Sequence, residues 1–551
     1  MRSNPHRVTK TEVLIIGAGM AGGAIAKRIS DHGIQVICLE QGPEIQQSQL
    51  PHLSESFELD KTRDANVHPN VRGLKEDYPV TSDDIGSSIR MVNAVGGSAN
   101  KYSGVWMRPR PSDFRKGTEH GMAPDWPISY EDLAPYFDIC DAEMGISGLN
   151  GDPGYPARAP RSTPMIPLGR GGQRLASTLD KLGWHWWPTD NAILTEDMDG
   201  RLACNHCGQC VMGCPRGSMG TSATAFWPQA IRNGVDLRTF ARVHRIVYDG
   251  QRATGAVYED LNTGTQYEVS ADIVIVCANG IGTTRLLLMS GSGATADGLA
   301  NSSGLLGKNL MLHPQGFVEG IFDDPMDSYK GARGSPLYCG EFMETDPSRG
   351  FVNGYTIVMV RAPGAGYASM GYSTFKPVHW GADHHRHFGE MFNRQLWLMN
   401  LAEDLPMERN TVTLDPHKKD SSGLPAPKVA YRMHDQDRRA TQHAIDRSQE
   451  LMWAAGARIV NNSGVLEQPC GFHLMGTARM GFDRTDSVVN KWHRSWDIPN
   501  LFVCDGSSMA SSFGVTPTAT IGAMAVRLAD YIARNKGTLL QRTATEEAAI
   551  A

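Results

Sequence analysis

A glycine-rich turn near the start of the chain constrains the fold more than any other feature. Residues 13–16 are apolar, and Gly17, Gly19 and Gly22 follow them. In such a turn the first glycine permits the sharp bend, the second lets a pyrophosphate approach the backbone, and the third lets helix and strand pack closely. A second apolar run ends at Glu40, where an acid binds ribose hydroxyls. The segment therefore predicts a βαβ unit that binds a dinucleotide.

Composition narrows the class of protein further. A chain of 551 residues is expected to form roughly two to four domains, or two large interleaved ones. Apolar residues make up 40% and charged residues 20%, as in ordinary globular proteins. The net charge of −6 gives no footprint for nucleic acid, and no apolar run is long enough to predict a membrane span. The first residues resemble no export signal, so we expect a cytoplasmic protein, with export beside a partner subunit left open.

Motifs along the rest of the chain point to a family. In order they are NAVGGSANKYSG, WPISYEDLAPYFDICDAEMGISG, LGKNLMLHP, HLMGTARMG and CDGSSM. Together with the N-terminal βαβ unit, these motifs resemble those of the glucose–methanol–choline (GMC) oxidoreductases, and they extend over most of the chain. The resemblance implies an FAD flavoprotein that oxidises alcohols. Within the family, the segments WPISYEDLAPYF and TLDPHKKDSSGLPAPKVAY are most similar to pyranose oxidases and bacterial sugar dehydrogenases.

The resemblance implies an α/β + β fold. A Rossmann-like FAD-binding domain would be interleaved with a substrate-binding domain built on an antiparallel sheet, which is the GMC fold. We expect the FAD-binding domain to comprise residues 8–60, 85–110, 200–316 and 465–540. The substrate-binding domain would take part of 60–200 together with 316–465, and residues 541–551 would form a loosely docked tail.

The resemblance also implies which residues contact the FAD. Beyond the N-terminal turn, the predicted cofactor-binding residues are Gly96, Gly97, Val243, Gly280, Asp505, Gly506 and Thr518. Val243 would meet the adenine through its backbone, and Thr518 would lie near the flavin ring. In pyranose oxidases a histidine shortly after the double glycine binds FAD covalently, but Lys101 stands at that place here. We therefore expect non-covalent FAD.

Two residues are expected to act on the alcohol. His473, in HLMGTARMG, matches the family's catalytic histidine, and its unperturbed pKa of about 6.5 suits a base that is neutral at working pH. The second family position, directly before Pro-Thr, is usually Asn or His and is Thr516 here. We expect Thr516 to act as a hydrogen-bonding neighbour. The alternatives are a water molecule, or the histidine-rich segment that holds His384, His385 and His387.

Four of the ten cysteines lie in one short stretch. The spacing of a bacterial ferredoxin run is shared by Cys204, Cys207, Cys210 and Cys214. It predicts a 3Fe-4S or 4Fe-4S cluster, and the family resemblance implies that such a cluster passes flavin electrons to a small subunit or a cytochrome. A loop without metal and a zinc site are the alternatives. Zinc is disfavoured because its cysteine pairs usually lie about a dozen or more residues apart.

The expected activity is FAD-dependent oxidation of an alcohol by proton abstraction and hydride transfer to flavin N5. The expected partner is a small-molecule alcohol, in the first place one that is oxidised at a secondary hydroxyl of a sugar or glycoside. The alternatives are a non-sugar alcohol (a terpenoid, sterol or aryl alcohol), a flavin-bound lyase with no net redox change, and a non-catalytic flavin-bound subunit. Oxygen, a protein and a quinone stay open as electron acceptors.

Overall fold

The computed structural model describes residues 8–50, 77–82, 89–369 and 381–539. The predicted tail and the stretch 51–76 of the predicted domains lie outside the described residues. The strands are β1 (Val8–Ile16), β2 (Val36–Leu39), β3 (Thr81–Ser82), β4 (Ser147–Gly148), β5 (Thr163–Pro164), β6 (Trp186–Pro188), β7 (Asp236–Arg238), β8 (Ala241–Tyr248), β9 (Ala253–Asp260), β10 (Thr265–Val276), β11 (Met311–His313), β12 (Gln315–Ile321), β13 (Leu337–Cys339), β14 (Tyr355–Val360), β15 (Gln395–Ala402), β16 (Thr411–Lys419), β17 (Pro425–Ala430), β18 (Ile459–Asn462), β19 (Cys470–Met475) and β20 (Leu501–Val503). The α-helices are α1 (Met20–Ser30), α2 (Lys116–His120), α3 (Tyr130–Met144), α4 (Gly169–Leu182), α5 (Ser222–Ala225), α6 (Trp227–Arg232), α7 (Asn279–Met289), α8 (Ala365–Ser369), α9 (His384–Met391), α10 (Asp435–Ala454), α11 (Thr518–Arg534) and α12 (Lys536–Leu539).

The first sheet is mostly parallel and carries the predicted βαβ unit. Its strands lie in the order β7-β2-β1-β10-β9-β8, and β20 pairs with the end of β10. β1 pairs in parallel with β2 and β10, whereas β9 runs antiparallel between β10 and β8. Residues 13–16 and all of β2 are buried. Unbroken burial is typical of parallel strands that are covered on both faces, and it explains the continuous apolar runs of the sequence.

Close packing of α1 depends on one glycine of the turn. A Cβ at Gly22 would lie 1.9 Å from the carbonyl oxygen of Gly17, so only glycine fits at the start of this helix. α1 packs against α11, and α11 packs in turn against α3. The core that these helices share with the first sheet includes Phe137 of α3. This part of residues 60–200 therefore packs with the dinucleotide-binding half.

The second sheet is antiparallel, with its strands in the order β18-β12-β15-β14-β13-β6. α10 packs against β12, β15 and β14. Phe317 and Trp397 of this sheet line a cavity between the two halves of the molecule. Phe317 lies opposite Met399, and Trp397 lies opposite Val360, so these side chains form one wall. The architecture of a mostly parallel sheet with a separate antiparallel sheet is the one that the sequence predicts.

A short ribbon brings the two halves together. Strand β11 pairs with β19, and His313 lies opposite Cys470 across this ribbon. His473 of β19 lines the same cavity as Thr518, the first residue of α11. None of the helices in the described ranges is long and apolar enough to cross a membrane. The domain boundaries given above stay a prediction.

Candidate active site

The main cavity has a volume of about 1100 Å³. It runs from the N-terminal glycine turn and the carboxyl end of β1 to the wall formed by the second sheet. Ligands of open α/β sheets bind at this end of the strands. Typical pockets for one small molecule measure about 300–1,000 Å³, so this cavity has room for a dinucleotide and a second, smaller molecule. Eight of the predicted cofactor-binding residues line it: Gly17, Gly19, Glu40, Gly97, Val243, Asp505, Gly506 and Thr518.

The glycine turn offers bare backbone to a phosphate. Gly17 has a φ of +103°, and a Cβ there would lie 2.5 Å from the carbonyl oxygen of Cys277. A Cβ on Gly97 would lie 2.9 Å from the Cα of Gly19, so two glycines from distant parts of the chain meet here. α1 begins directly after Gly19, and the amide groups at a helix N-terminus attract phosphate. This surface fits the pyrophosphate of FAD.

Two buried carboxylates, those of Glu40 and Asp505, line the cavity near this turn. Glu40 is 6% exposed, lines the cavity, and accepts hydrogen bonds from the amides of Ala18 (2.9 Å) and Gly42 (2.8 Å). Asp505 accepts hydrogen bonds from the Asn279 amide (2.9 Å) and the Thr283 hydroxyl (2.6 Å). Burial raises the pKa of Asp505, although these donors oppose the change. Both carboxylates are thus held in fixed positions against the dinucleotide surface.

Three of the predicted cofactor-binding glycines do not line the cavity. Gly22 packs α1 onto the turn, as described above. Gly96 has a φ of +96° and precedes the short 3₁₀ helix Gly97–Lys101. A Cβ on Gly280 would lie 2.7 Å from the carbonyl oxygen of Leu474, so this glycine packs α7 against β19. Gly22 and Gly280 thus serve close packing of backbone, and a cofactor contact of these three glycines stays a prediction.

The candidate catalytic histidine has a partner that the sequence did not single out. The Nδ1 atoms of His473 and His313 lie 2.6 Å apart, and the two rings are nearly perpendicular. The Nε2 atom of His313 lies 2.6 Å from the carbonyl oxygen of Phe513. His313 is fully buried, whereas His473 is partly exposed to the cavity. The motif LGKNLMLHP contains His313, but nothing local shows that it meets a residue 160 positions away.

These contacts assign the tautomers of both rings. A carbonyl oxygen only accepts hydrogen bonds, so Nε2 of His313 carries a proton. The Nδ1 of a neutral His313 is then an acceptor, and His473 donates its own Nδ1–H to it. The lone pair of His473 is left on Nε2, for which the described residues provide no partner. His473 is thus oriented as a base with one free nitrogen.

Both histidines are held neutral. Burial lowers the pKa of His473 well below its ordinary value, and the adjacent His313 lowers it further. Burial lowers the pKa of His313 to about 4, although the carbonyl of Phe513 opposes the change. An imidazole in its neutral form can accept a proton from an alcohol at neutral pH.

The second predicted catalytic residue also lines the cavity. Thr516 is 8% exposed, and its hydroxyl lies 3.5 Å from the carbonyl oxygen of Val105. By contrast, the histidine-rich segment forms α9, and none of its three histidines lines the cavity. Within the described residues, the structure therefore brings Thr516, and not α9, to the cavity that His473 also lines.

The four cysteines of the predicted cluster form a loop beside the cavity, and the loop residues Val211 and Met212 line it. All four are free thiols. Cys210 is buried, and burial raises the pKa of its thiol to about 12. Its sulfur lies 3.4 Å from the amide nitrogen of Arg333. Among the residues that the structure describes, no group of three or more histidine, cysteine or acidic side chains is placed to hold a metal ion. The geometry gives the iron–sulfur prediction no support, and it stays a prediction.

Comparison with known proteins places the chain in a family. Residues 12–315 and 406–525 match the N- and C-terminal domains of GMC oxidoreductases. The chain is 48% identical over 541 residues to 2-methyl-1,2-propanediol dehydrogenase of Mycolicibacterium austroafricanum, with 97% of both chains covered. It is 28% identical to the fructose dehydrogenase large subunit of Gluconobacter japonicus, with 96% of this chain and 98% of that one covered.

Solved structures agree on the fold. A formate oxidase of Aspergillus oryzae matches with a TM-score of 0.67 at 16% identity, covering 97% of this chain and all of that one. This chain belongs to the GMC oxidoreductase family, and its fold is the predicted GMC fold. It is an FAD-dependent oxidoreductase that acts on alcohol groups.

Proposed function

We propose that this protein oxidises a hydroxyl of a polyhydroxylated alcohol and that His473 takes the hydroxyl proton. One observation carries the proposal: a neutral histidine, with its free nitrogen assigned by His313, lines the cavity that holds the dinucleotide surface. FAD supplies a hydride acceptor when it is bound. The chain's own residues supply the proton acceptor and its orientation.

Thr516 is the proposed neighbour of the reacting hydroxyl. It lies directly before Pro517 at the start of α11, and a hydroxyl both donates and accepts hydrogen bonds. It can therefore hold the substrate oxygen while His473 removes the proton. Its side chain is shorter than the Asn or His usual at this position, so the substrate oxygen would lie closer to α11.

The substrate class follows from the cavity wall and from the relatives. Gln315 and Ser335 add polar groups to a wall that is otherwise built on Phe317, Trp397 and Met399. An apolar wall with a few polar groups suits a sugar ring or glycoside, which is our first candidate. A small vicinal diol is the second candidate, because the 48% identical relative is named for such a diol.

The FAD is proposed to be non-covalent. Lys101 lines the cavity where pyranose oxidases carry the histidine that is linked to FAD, and burial lowers the pKa of its amine. No histidine lies between Gly97 and Lys101. Acid precipitation tests this part: yellow flavin released into the supernatant supports it, and flavin that pellets with the protein contradicts it.

The activity is tested by mixing holoenzyme with candidate alcohols in the absence of oxygen. D-fructose, methyl glycosides and 2-methyl-1,2-propanediol cover the two substrate classes. We expect at least one of them to bleach the flavin absorbance and to yield a carbonyl product. A carbonyl product without bleaching would indicate the lyase alternative, and no reaction with any alcohol would contradict the proposal.

A further inference from the structure

Arg361 is a buried cation in the wall of the main cavity. The residue is 6% exposed and lines the cavity just beyond the end of β14. Its Nε donates a hydrogen bond of 2.6 Å to the carbonyl oxygen of Ala332. Its two terminal nitrogens have no acceptor among the described residues, and it forms no ion pair there.

Other arginines of the same cavity are compensated. Arg242 pairs with Asp77 at 3.0 Å and with Asp420 at 3.2 Å, and Arg285 pairs with Asp420 at 2.6 Å. A buried charge is costly unless a counter-charge and hydrogen bonds accompany it. Arg361 lacks a counter-charge, and its single side-chain hydrogen bond leaves both terminal nitrogens without an acceptor among the described residues. Arginine is a cation at neutral pH.

The ionisable neighbours of Arg361 include no carboxylate. The nearest ionisable groups are the thiols of Cys210 and Cys204 and a second cation, Arg333. The charge of Arg361 therefore has no carboxylate partner among the described residues.

The packing around the Arg361 guanidinium leaves its two terminal nitrogens, which form a planar fork, open to a ligand. A Cβ on Gly331 would lie 2.8 Å from its Nη2, and a Cβ on Gly169 would lie 3.9 Å from its Nη1. Glycine at position 331 leaves room for the planar group, whereas a Cβ at Gly169 would make only an ordinary contact. The two terminal nitrogens of such a fork match the two oxygens of a carboxylate.

We propose that Arg361 binds a carboxylate of the substrate, so that the substrate is a polyhydroxylated acid. This inference rests on the proposed function and deepens it by naming the substrate class. The carboxylate and the reacting hydroxyl bind at opposite ends of the second sheet. Thr356, at the start of β14, donates a hydrogen bond of 2.5 Å to the carbonyl oxygen of Gly514, two residues before Thr516.

The length of β14 sets the distance between these two ends. Val360 lies four residues beyond Thr356, which is about 13 Å of extended strand. Trp397 lies opposite Val360 and forms part of the wall between the ends. Its indole nitrogen donates to the buried carboxylate of Glu319 at 3.2 Å, which fixes the ring. A substrate that reaches both ends would therefore carry its carboxylate several bonds away from the oxidised carbon.

Equilibrium binding to oxygen-free holoenzyme whose flavin has first been reduced with dithionite tests this proposal without turnover, because reduced flavin accepts no hydride. The probes are two matched pairs, D-gluconate with D-glucitol and 6-hydroxyhexanoate with 1,6-hexanediol, and their binding is measured by titration calorimetry. We expect the acid of at least one pair to bind at least tenfold more tightly than its neutral partner. Arg361→Gln should abolish this difference, and Arg361→Lys, which keeps the charge without the fork, should retain only part of it. Arg386→Gln, which removes an exposed surface charge on α9, is the matched control and should change nothing.

Several outcomes would overturn the proposal. Equal binding of acid and neutral partner to the wild-type protein would do so without any variant. The Arg361→Gln variant could keep the preference for acids while its Cys210 reacts faster with a thiol reagent. That result would show that Arg361 stabilises the cysteine loop and does not bind the substrate. The third outcome is that acids bind through Arg361 but no alcohol bleaches the flavin. That result would contradict the proposed function and still support the carboxylate subsite.

Discussion

At the scale of single residues, the site depends on the pairing of two histidines. His313 holds a proton on Nε2 because the carbonyl of Phe513 only accepts, and it thereby assigns the free nitrogen of His473. A lone histidine in a sequence gives no indication of its tautomer. The resemblance to a known motif predicts His473 as the base, but the residue that orients it is visible only in three dimensions.

Replacing His313 should change both the rate and its pH dependence. His313→Phe removes the acceptor for His473 Nδ1–H and one of the two causes that lower the pKa of His473. The pKa of His473 should rise, so its basic form should be lost at a higher pH as the solution is acidified. We expect a tenfold or larger loss in the rate of anaerobic flavin reduction and an acid limb shifted to higher pH. An unchanged pH profile would assign His313 a role in packing alone.

At the scale of elements, the N-terminal turn shows how local patterns could be predicted. The first strand, the turn and α1 are adjacent in sequence, and each glycine answers a local steric demand. The cysteine loop is the opposite case. Its spacing matches a ferredoxin run, yet the positions of its thiols depend on packing against the distant segment that holds Arg333. Spacing alone could not predict that packing.

Gly17→Ala should reduce flavin binding. The added methyl group would clash with the carbonyl oxygen of Cys277 at the surface that fits the pyrophosphate. We expect purified Gly17→Ala protein to contain less than about a tenth of the wild-type flavin per chain. Gly33→Ala is the matched control, because Gly33 also has a positive φ (+69°) but has no atom within 4 Å of the added Cβ. Equal flavin content in the two variants would contradict this interpretation of the turn.

A buried acid pair ties β15 to α10 behind the histidine pair. Asp404 accepts a hydrogen bond from the Leu312 amide at 2.6 Å, next to His313. Asp437 accepts one from the Leu405 amide at 3.2 Å. Burial raises the pKa of Asp437 to about 7 and raises that of Asp404 well above its usual range. The folded protein therefore holds protons here that the unfolded chain releases near pH 4.

The contribution of this acid pair to the stability of the protein should fall as the pH rises from about 4 to 7. A group whose pKa is raised in the folded state stabilises the fold at a pH below its unfolded pKa. This stabilisation is lost as the pH rises towards the folded pKa, by up to about 1.4 kcal/mol per pH unit. Asp437→Asn cannot titrate at this position. The Tm of the variant minus that of the wild type should therefore increase from pH 4 to pH 7 and stay constant above pH 7. Asp415→Asn is the control, because the pKa of this exposed group is lowered to about 2 and its offset should be constant over the interval. A constant offset for Asp437→Asn would show that this carboxyl is ionised in the fold.

At the scale of the whole molecule, the resemblance predicted the fold class and the alcohol oxidation, and both are confirmed. The sequence did not predict how the two sheets share one cavity. Arg361 looks like any surface arginine in the sequence, and its lack of a counter-charge appears only when β14, the cysteine loop and two glycines are assembled around it. Long-range contacts of this kind leave no periodic pattern in a chain.

Whether the cysteine loop holds a cluster bears on how electrons leave the molecule. Anaerobically purified protein should be analysed for iron, zinc and acid-labile sulfide, with low-temperature EPR spectra. Iron and sulfide in a fixed ratio, lost in Cys210→Ser, would confirm the predicted cluster and support a protein acceptor. Absence of both from fully flavinated protein would reject the cluster prediction. Cys339→Ser provides the control, because Cys339 is buried in the second sheet and does not belong to the loop.

The central claim is that His473 removes the proton of the alcohol. Its most direct test is the anaerobic rate of flavin reduction by a saturating alcohol substrate in wild type, His473→Gln and the control His384→Gln on α9. We expect the rate to be about 10²–10⁴-fold lower in His473→Gln, with unchanged flavin content, and to be unchanged in the control. A His473→Gln variant that carries its flavin and is reduced as fast as wild type would contradict the account.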